Sequence, residues 1–334
     1  MSGRGHRTHA APRPGSFSFP VVTAAGTGVR SGTSTVWMAP QTYFLAATLA
    51  ALLALGAVGM ALGGPASTIT ACAAILLFGL PHGALDLEII KRERGTGRLG
   101  MGALLLLYLG LAAAMAAVWS LAPVTALAVF IVVAVVHFAE DWQELRSAFL
   151  AQGMAIALLT APTLLHLAEL ERLFGALSGR SDAAIVANLM LLLAPMSVAL
   201  ASVSVWTLWR TGFRDQAVAG GLMLIGMILL HPVVGFALFF CLYHSPRHLE
   251  VALSRVAWSP SSWWIVPLVT LAALGIAAAL FAGDVRADLP AQFVAASFMT
   301  LSLLTVPHMI VPAVVDALSL RRSSALHRHG RIIA

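Results

Sequence analysis

HPVVGFALFFCLYHSPRHLE, residues 231–250, is apolar enough to enter a membrane as a helix, yet it carries His244 and His248. The two histidines are one helical turn apart, so both imidazoles project from nearly the same face. Pro246 lies between them and removes the backbone bond to the carbonyl of Leu242. Irregular backbone at membrane depth is tolerated only where it is buried in protein or lines a cavity. The stretch therefore predicts one wall of a metal site inside a helical bundle.

The 334 residues are 59% hydrophobic and only 10% charged, with mean hydropathy +0.89. A soluble domain is about 25% charged, so the composition predicts a polytopic membrane protein. The net charge of +6 does not point to nucleic acid, because the basic residues sit in short loops and tails, where they set topology. Cys72 and Cys241 match no metal or redox spacing and read as small packing residues. Residues 1–40 contain Arg4, Arg7, Arg13 and Arg30 and no acidic residue, and read as a disordered basic cytoplasmic extension. Residues 41–318 read as the transmembrane catalytic domain and 319–334 as a basic cytoplasmic tail.

Apolar runs of spanning length cover roughly 43–63, 69–90, 101–121, 124–145, 147–167, 186–209, 216–231, 233–254, 262–282 and 291–316. The predicted fold is thus all-α, an integral membrane bundle of about ten transmembrane helices with the metal site within it. With the N-terminus in the cytoplasm, ten spans place 91–98, 210–215, 247–255 and 321–331 inside. Only Arg172, Arg180 and Arg286 of the 20 basic residues then fall outside, as the positive-inside rule requires. Both termini are expected in the cytoplasm. The same threading puts His82, His137, His244, His248 and His308 on even-numbered spans, each past the middle toward the cytoplasmic half. His166 and His231 fall near the opposite face and read as interfacial or capping residues.

Ionisable groups inside a membrane are costly and usually functional, and neutral imidazole suits iron, copper, zinc or nickel. Asp86 follows His82 by one turn in PHGALD, and Asp141 follows His137 by one turn in HFAED. Either carboxylate can take the second N–H of the preceding imidazole, as metal-bound histidines require. Equally, both can be helix-end charges partnered by Lys91 and Arg146. Proline precedes histidine at Pro81-His82 and Pro307-His308, so each of these helices is opened beside a proposed ligand.

PHGALD, HFAED, HSPRH and VPHMIV, in that order over residues 76–316, resemble the Brp/Blh family of bacterial and archaeal β-carotene 15,15′-dioxygenases. The resemblance implies a membrane-embedded non-haem Fe(2+) enzyme that cleaves β-carotene with O2 at its central double bond into two all-trans-retinal. It implies iron ligands at His82, His137, His244 and His248, with His308 as a further ligand or pocket residue. Asp86 and Asp141 remain candidates for the outer partners. It also implies a functional link to a retinal-binding rhodopsin. Ala139 stands where the family often has glycine, and the first span is extra. The physics agrees with the implied substrate: an apolar polyene dissolved in the bilayer enters sideways and needs no basic pocket. Phe138, Phe236, Phe239, Phe240 and Met309 lie near the histidines in sequence.

Three other readings compete. A haem-binding electron carrier needs an axial histidine pair rather than five histidines at one depth. A histidine-based proton-coupled transporter predicts inverted repeats, and none is visible. A membrane metalloprotease needs HExxH, which is absent from the sequence.

Overall fold

The computed structural model describes residues 40–57, 62–79, 85, 88–90, 98–255, 262–283 and 288–332. Within them the chain is helical, with no strand. The helices are α1 (Pro40–Ala57), α2 (Pro65–Ala74, running on as a π-helix over Ile75–Gly79), α3 (Arg98–Leu121) and α4 (Pro123–Ala139). They continue as α5 (Ala148–Thr160), α6 (Thr163–Ser178), α7 (Ala184–Arg210) and α8 (Arg214–Leu229). The last are α9 (Pro232–Phe239), α10 (Ser245–Arg255), α11 (Ser262–Gly283) and α12 (Leu289–Ile332).

Proline sets several helix starts. Pro65, Pro123 and Pro232 each occupy the first turn, where the missing N–H is one the helix leaves unbonded anyway. Four described segments are long and apolar enough to cross a membrane: Gly100–Leu121, Pro123–Leu145, Ser181–Arg210 and Leu289–Val315. A fifth arises if α5 and α6, bent by 65° at their junction, count as one crossing. Fewer described helices meet these limits than the ten spans predicted from the sequence. The remaining predicted spans are represented by shorter or interrupted helices, such as Thr42–Ala57, Pro65–Phe78 and Thr270–Leu280. The predicted span over 147–167 is not one helix. It breaks at Ala161-Pro162, and α6 leaves in a new direction. At the C-terminal end, α12 continues as helix through the predicted tail to Ile332.

The outer surface is apolar. Leu106, Leu192 and Met196 are each more than 70% exposed, which water would penalise and lipid hydrocarbon would not. Inside, α12 packs against α2, α3, α6 and α11, and α5 packs along α7. A Cβ on Gly153 of α5 would collide with the side chain of Leu200 of α7, so glycine makes room for that leucine between the two helices. Polar side chains join helices where water is excluded. Trp119 Nε1 donates to Ser302 Oγ at 2.7 Å, and Ser204 Oγ donates to the Leu150 carbonyl at 3.1 Å. Thr160 and Ser197 share a buried hydrogen bond of 2.8 Å. Such bonds hold small-residue interfaces together where apolar burial no longer discriminates. Cys72 and Cys241 are free thiols.

Candidate metal centre

Two interrupted helices face each other and carry the site. The first is α4. After Ala139 it tightens into a 3-10 segment, Glu140–Leu145, in which Trp142 has non-helical φ −119° and ψ 32°. Arg146 in the left-handed conformation, φ 53°, ends it. The tighter winding decides where the acidic side chains go. Residues i and i+3 eclipse in a 3-10 turn, so Glu140 approaches His137, with Oε2 3.8 Å from Nδ1.

The second is the HSPRH stretch. The helix widens to a π segment over Phe240–His244 between α9 and α10. This is the local opening predicted around Pro246, and such bulges recur at functional sites. It is stapled to the other π segment, because Ser245 Oγ donates to the Phe78 carbonyl at 2.9 Å.

The two walls meet at Asp141. Its carboxylate, 1% exposed, pairs with His244 Nδ1 at 2.8 Å and His248 Nε2 at 3.2 Å. Asp141 is therefore partnered by the histidines of the facing helix rather than by His137 or Arg146, the two partners considered from the sequence. His137 joins the same group through its ring: its centroid lies 4.7 Å from His244, 5.4 Å from His248 and 5.0 Å from His308. His244 and His248 are 4.4 Å apart. Four of the five candidate histidines thus form one compact group around a buried carboxylate. His82 and Asp86 lie outside the described residues.

The donor set fits a transition metal. Asp141 takes one nitrogen of His244 and one of His248, and the second nitrogen of each ring is the atom through which it would bind an ion. That is the carboxylate–histidine arrangement that fixes ring orientation and tautomer in metal sites. One ligand atom each from Asp141, His244 and His248 also lie within 4.8 Å of one another, the two-histidine, one-carboxylate set of non-haem iron oxygenases.

A second bridge runs parallel to the first. Arg247 Nη2 donates to Glu144 Oε1 at 2.9 Å, and Nη1 donates to Tyr243 Oη at 2.7 Å. Tyr243 stacks on the fully buried Trp142 with centroids 5.3 Å apart. Sequence reasoning missed this bridge, although its signal was present. Asp141 and Glu144 have the same spacing as their partners His244 and Arg247, as two helices in register require.

An apolar slot opens beside the group. Leu127, Phe130, Ile131, Ala134 and Phe138 line it along one face of α4, a stretch of roughly 16 Å at helical rise. Phe236 and Phe298 line it from α9 and α12, and Leu170 and Phe174 from α6. Phe138 connects slot to site, with its ring 4.9 Å from His244 and 5.5 Å from His137. The volume is about 90 Å³, below the roughly 300–1,000 Å³ of an open ligand pocket. The slot is narrow, so a guest must spread its walls. Phe239 and Phe240 pack on His244 itself, at 5.8 and 5.3 Å. His166 and His231 lie apart from this group, against a separate cavity. His231 precedes α9 without making a side-chain cap, so the capping role expected of it is not realised.

A sequence profile of the family "Beta-carotene 15,15'-dioxygenase" matches residues 73–316. The chain belongs to this family. The match covers α4, both halves of the interrupted HSPRH helix and His308, so the family's sequence pattern and the histidine group coincide. A Beta-carotene 15,15'-dioxygenase from an uncultured marine bacterium, 66A03, is 27% identical over 261 residues, 72% of this chain and 91% of the relative. No solved structure matches.

Proposed function

We propose that this protein is a membrane-embedded, carotenoid-cleaving dioxygenase that splits β-carotene at the central 15,15′ double bond with O2 to give two all-trans-retinal. The single observation that carries the reading is the position of Phe138, which lines the apolar slot and touches His137 and His244. A polyene in the slot would present its conjugated chain to the histidine group. Family membership supports the reaction type, and the apolar helices support a multi-pass place in the cell membrane, from which β-carotene can enter sideways. The basic loops support a topology with both termini in the cytoplasm.

His137, His244 and His248 would hold Fe(2+), with His82, from the PHGALD motif, as the fourth ligand and His308 as a further ligand or pocket residue. Iron(II), when bound, supplies the activation of O2 that a singlet polyene cannot provide alone. The side chains prepare the site for it. Asp141 holds His244 and His248 in fixed orientation and keeps a proton on each bonded ring nitrogen. Phe239 and Phe240 shield His244 from water. The aromatic walls of the slot hold the rigid polyene in one register, so that one double bond among many is presented.

The test is expression in bacterial cells that accumulate β-carotene. The expected outcome is loss of orange colour with retinal in the extract. Unchanged carotene, with well-expressed and iron-loaded protein, would contradict the reading. A rhodopsin that takes up the retinal is the expected consumer, testable by co-expression with its apoprotein and recovery of a visible pigment.

A further inference from the structure

The end of the slot opposite the histidine group is polar, and the proposed reaction makes no use of it. Two adjoining cavities, of about 410 and 490 Å³, share Gly63, Glu169 and His231. His166 borders the larger. Together they form a vestibule. Leu173 and Val294 line both the vestibule and the slot, so the two spaces adjoin.

The same order recurs on two helices. Along one stretch of chain His231 lies at the vestibule, Val233 and Phe236 at the slot, and His244 in the histidine group. Along α12, Ala291 lies at the vestibule, Phe298 at the slot and His308 in the group. From Val294 to His308 is roughly 20 Å at helical rise. A linear polyene with its central bond at the histidine group and one half in the slot therefore delivers its end ring to the vestibule.

The chemistry there suits an oxygen atom on that ring. His166 Nε2 and His231 Nδ1 are buried and have no hydrogen-bond partner. A buried polar atom in that state is unfavourable until a ligand or water satisfies it. Gly63 lets the ring of His231 come close, since a Cβ there would lie 2.7 Å from His231 Cδ2. A metal ion is a poor occupant: among the described residues the group whose ligand atoms converge is Asp141, His244 and His248, not His166, His231 and Glu169. A hydroxyl is a good one, because it donates to one ring nitrogen and accepts from an N–H of the other.

We infer that His166, His231 and Glu169 form a recognition site for a hydroxylated end ring, so that the enzyme takes ring-hydroxylated carotenoids as well as β-carotene. The inference rests on the carotenoid-cleaving reading. It is tested on the purified full-length protein by quenching of tryptophan fluorescence, titrating β-carotene and its ring-dihydroxylated derivative separately. Retinoid products are measured in parallel, and iron content serves as the control for folding. His231→Phe keeps a flat ring but loses both nitrogens, and His231→Asn restores polar groups.

The expected result is that His231→Phe weakens binding of the dihydroxylated carotenoid about tenfold, the loss of one hydrogen bond. β-Carotene, with no oxygen to lose, changes less than about twofold on the same basis, and His231→Asn recovers part of the difference. Equal weakening of both ligands, or no change for the dihydroxylated one, overturns the site. The two readings fail separately. Retinal formed from β-carotene without this discrimination removes the site and leaves the reaction. Discrimination in binding with no cleavage of either carotenoid removes the reaction and leaves the site.

Discussion

His231 and His244 lie on one stretch of chain, yet the bundle treats them oppositely. Around His244 the walls converge: a carboxylate from a second helix takes its Nδ1 at 2.8 Å, and the imidazoles of His137 and His248 lie at 4.7 and 4.4 Å. Around His231 the walls stand apart, leaving cavities of several hundred Å³ and a buried nitrogen without a partner. The difference lies in the backbone. His244 ends a π segment that faces a 3-10 segment, and both irregularities turn side chains inward at one level. His231 sits at a plain helix start, beside the bend between α5 and α6. A carboxylate is near both histidines, since Glu169 lines the cavities beside His231; what sets His244 apart as a candidate ligand is the convergence of several donors at one point.

The contrast is broken most severely by removing an imidazole from the converging side. His244→Ala and His248→Ala should each abolish retinal formation and lower bound iron, because no neighbouring side chain in the apolar wall can replace the lost donor. Blocking the slot comes next. Ala134 lines it from α4, so Ala134→Phe should cost about 10²-fold in cleavage, the scale of a misplaced substrate, with iron content unchanged. A drop in iron equal to the drop in cleavage would mean that the bundle, not the slot, had been disturbed.

Asp141→Asn sharpens the comparison. If Asp141 orients the histidines, its amide still accepts one hydrogen bond, and affinity or activity should fall about 10–100-fold. Complete loss of iron, as in His248→Ala, would instead make Asp141 a ligand itself. The smallest effect is expected at the parallel bridge. Arg247 and Glu144 are part-buried, so Glu144→Gln should lower stability by about 1.5–3 kcal/mol at most, the scale of a hydrogen bond to a charged group. Cleavage in the surviving protein should change only severalfold.

Much of this was legible in the sequence because membranes restrict the alphabet. Few polar residues are available, so His137, His244, His248 and His308 stood out, and the positive-inside count placed them at one depth. Pro246 announced the helix opening. What the sequence did not reveal was winding. Asp141 stands four residues after His137, which in an α-helix is the same face, but the chain tightens after Ala139 and turns Glu140 to His137 instead. The break between α5 and α6 was hidden for a related reason: Pro162 lies inside a continuous apolar run, and hydropathy does not register direction. The vestibule was missed because His166 and His231 are distant in sequence and each alone reads as an interfacial residue.

The central claim is that the group around Asp141, and not the pair at the other face, holds iron for carotene cleavage. Iron per chain, measured on purified wild type, His248→Ala and His166→Ala that insert equally well, tests it most directly. The account predicts iron in wild type and in His166→Ala and its loss in His248→Ala. Iron retained by His248→Ala and stripped by His166→Ala would contradict it.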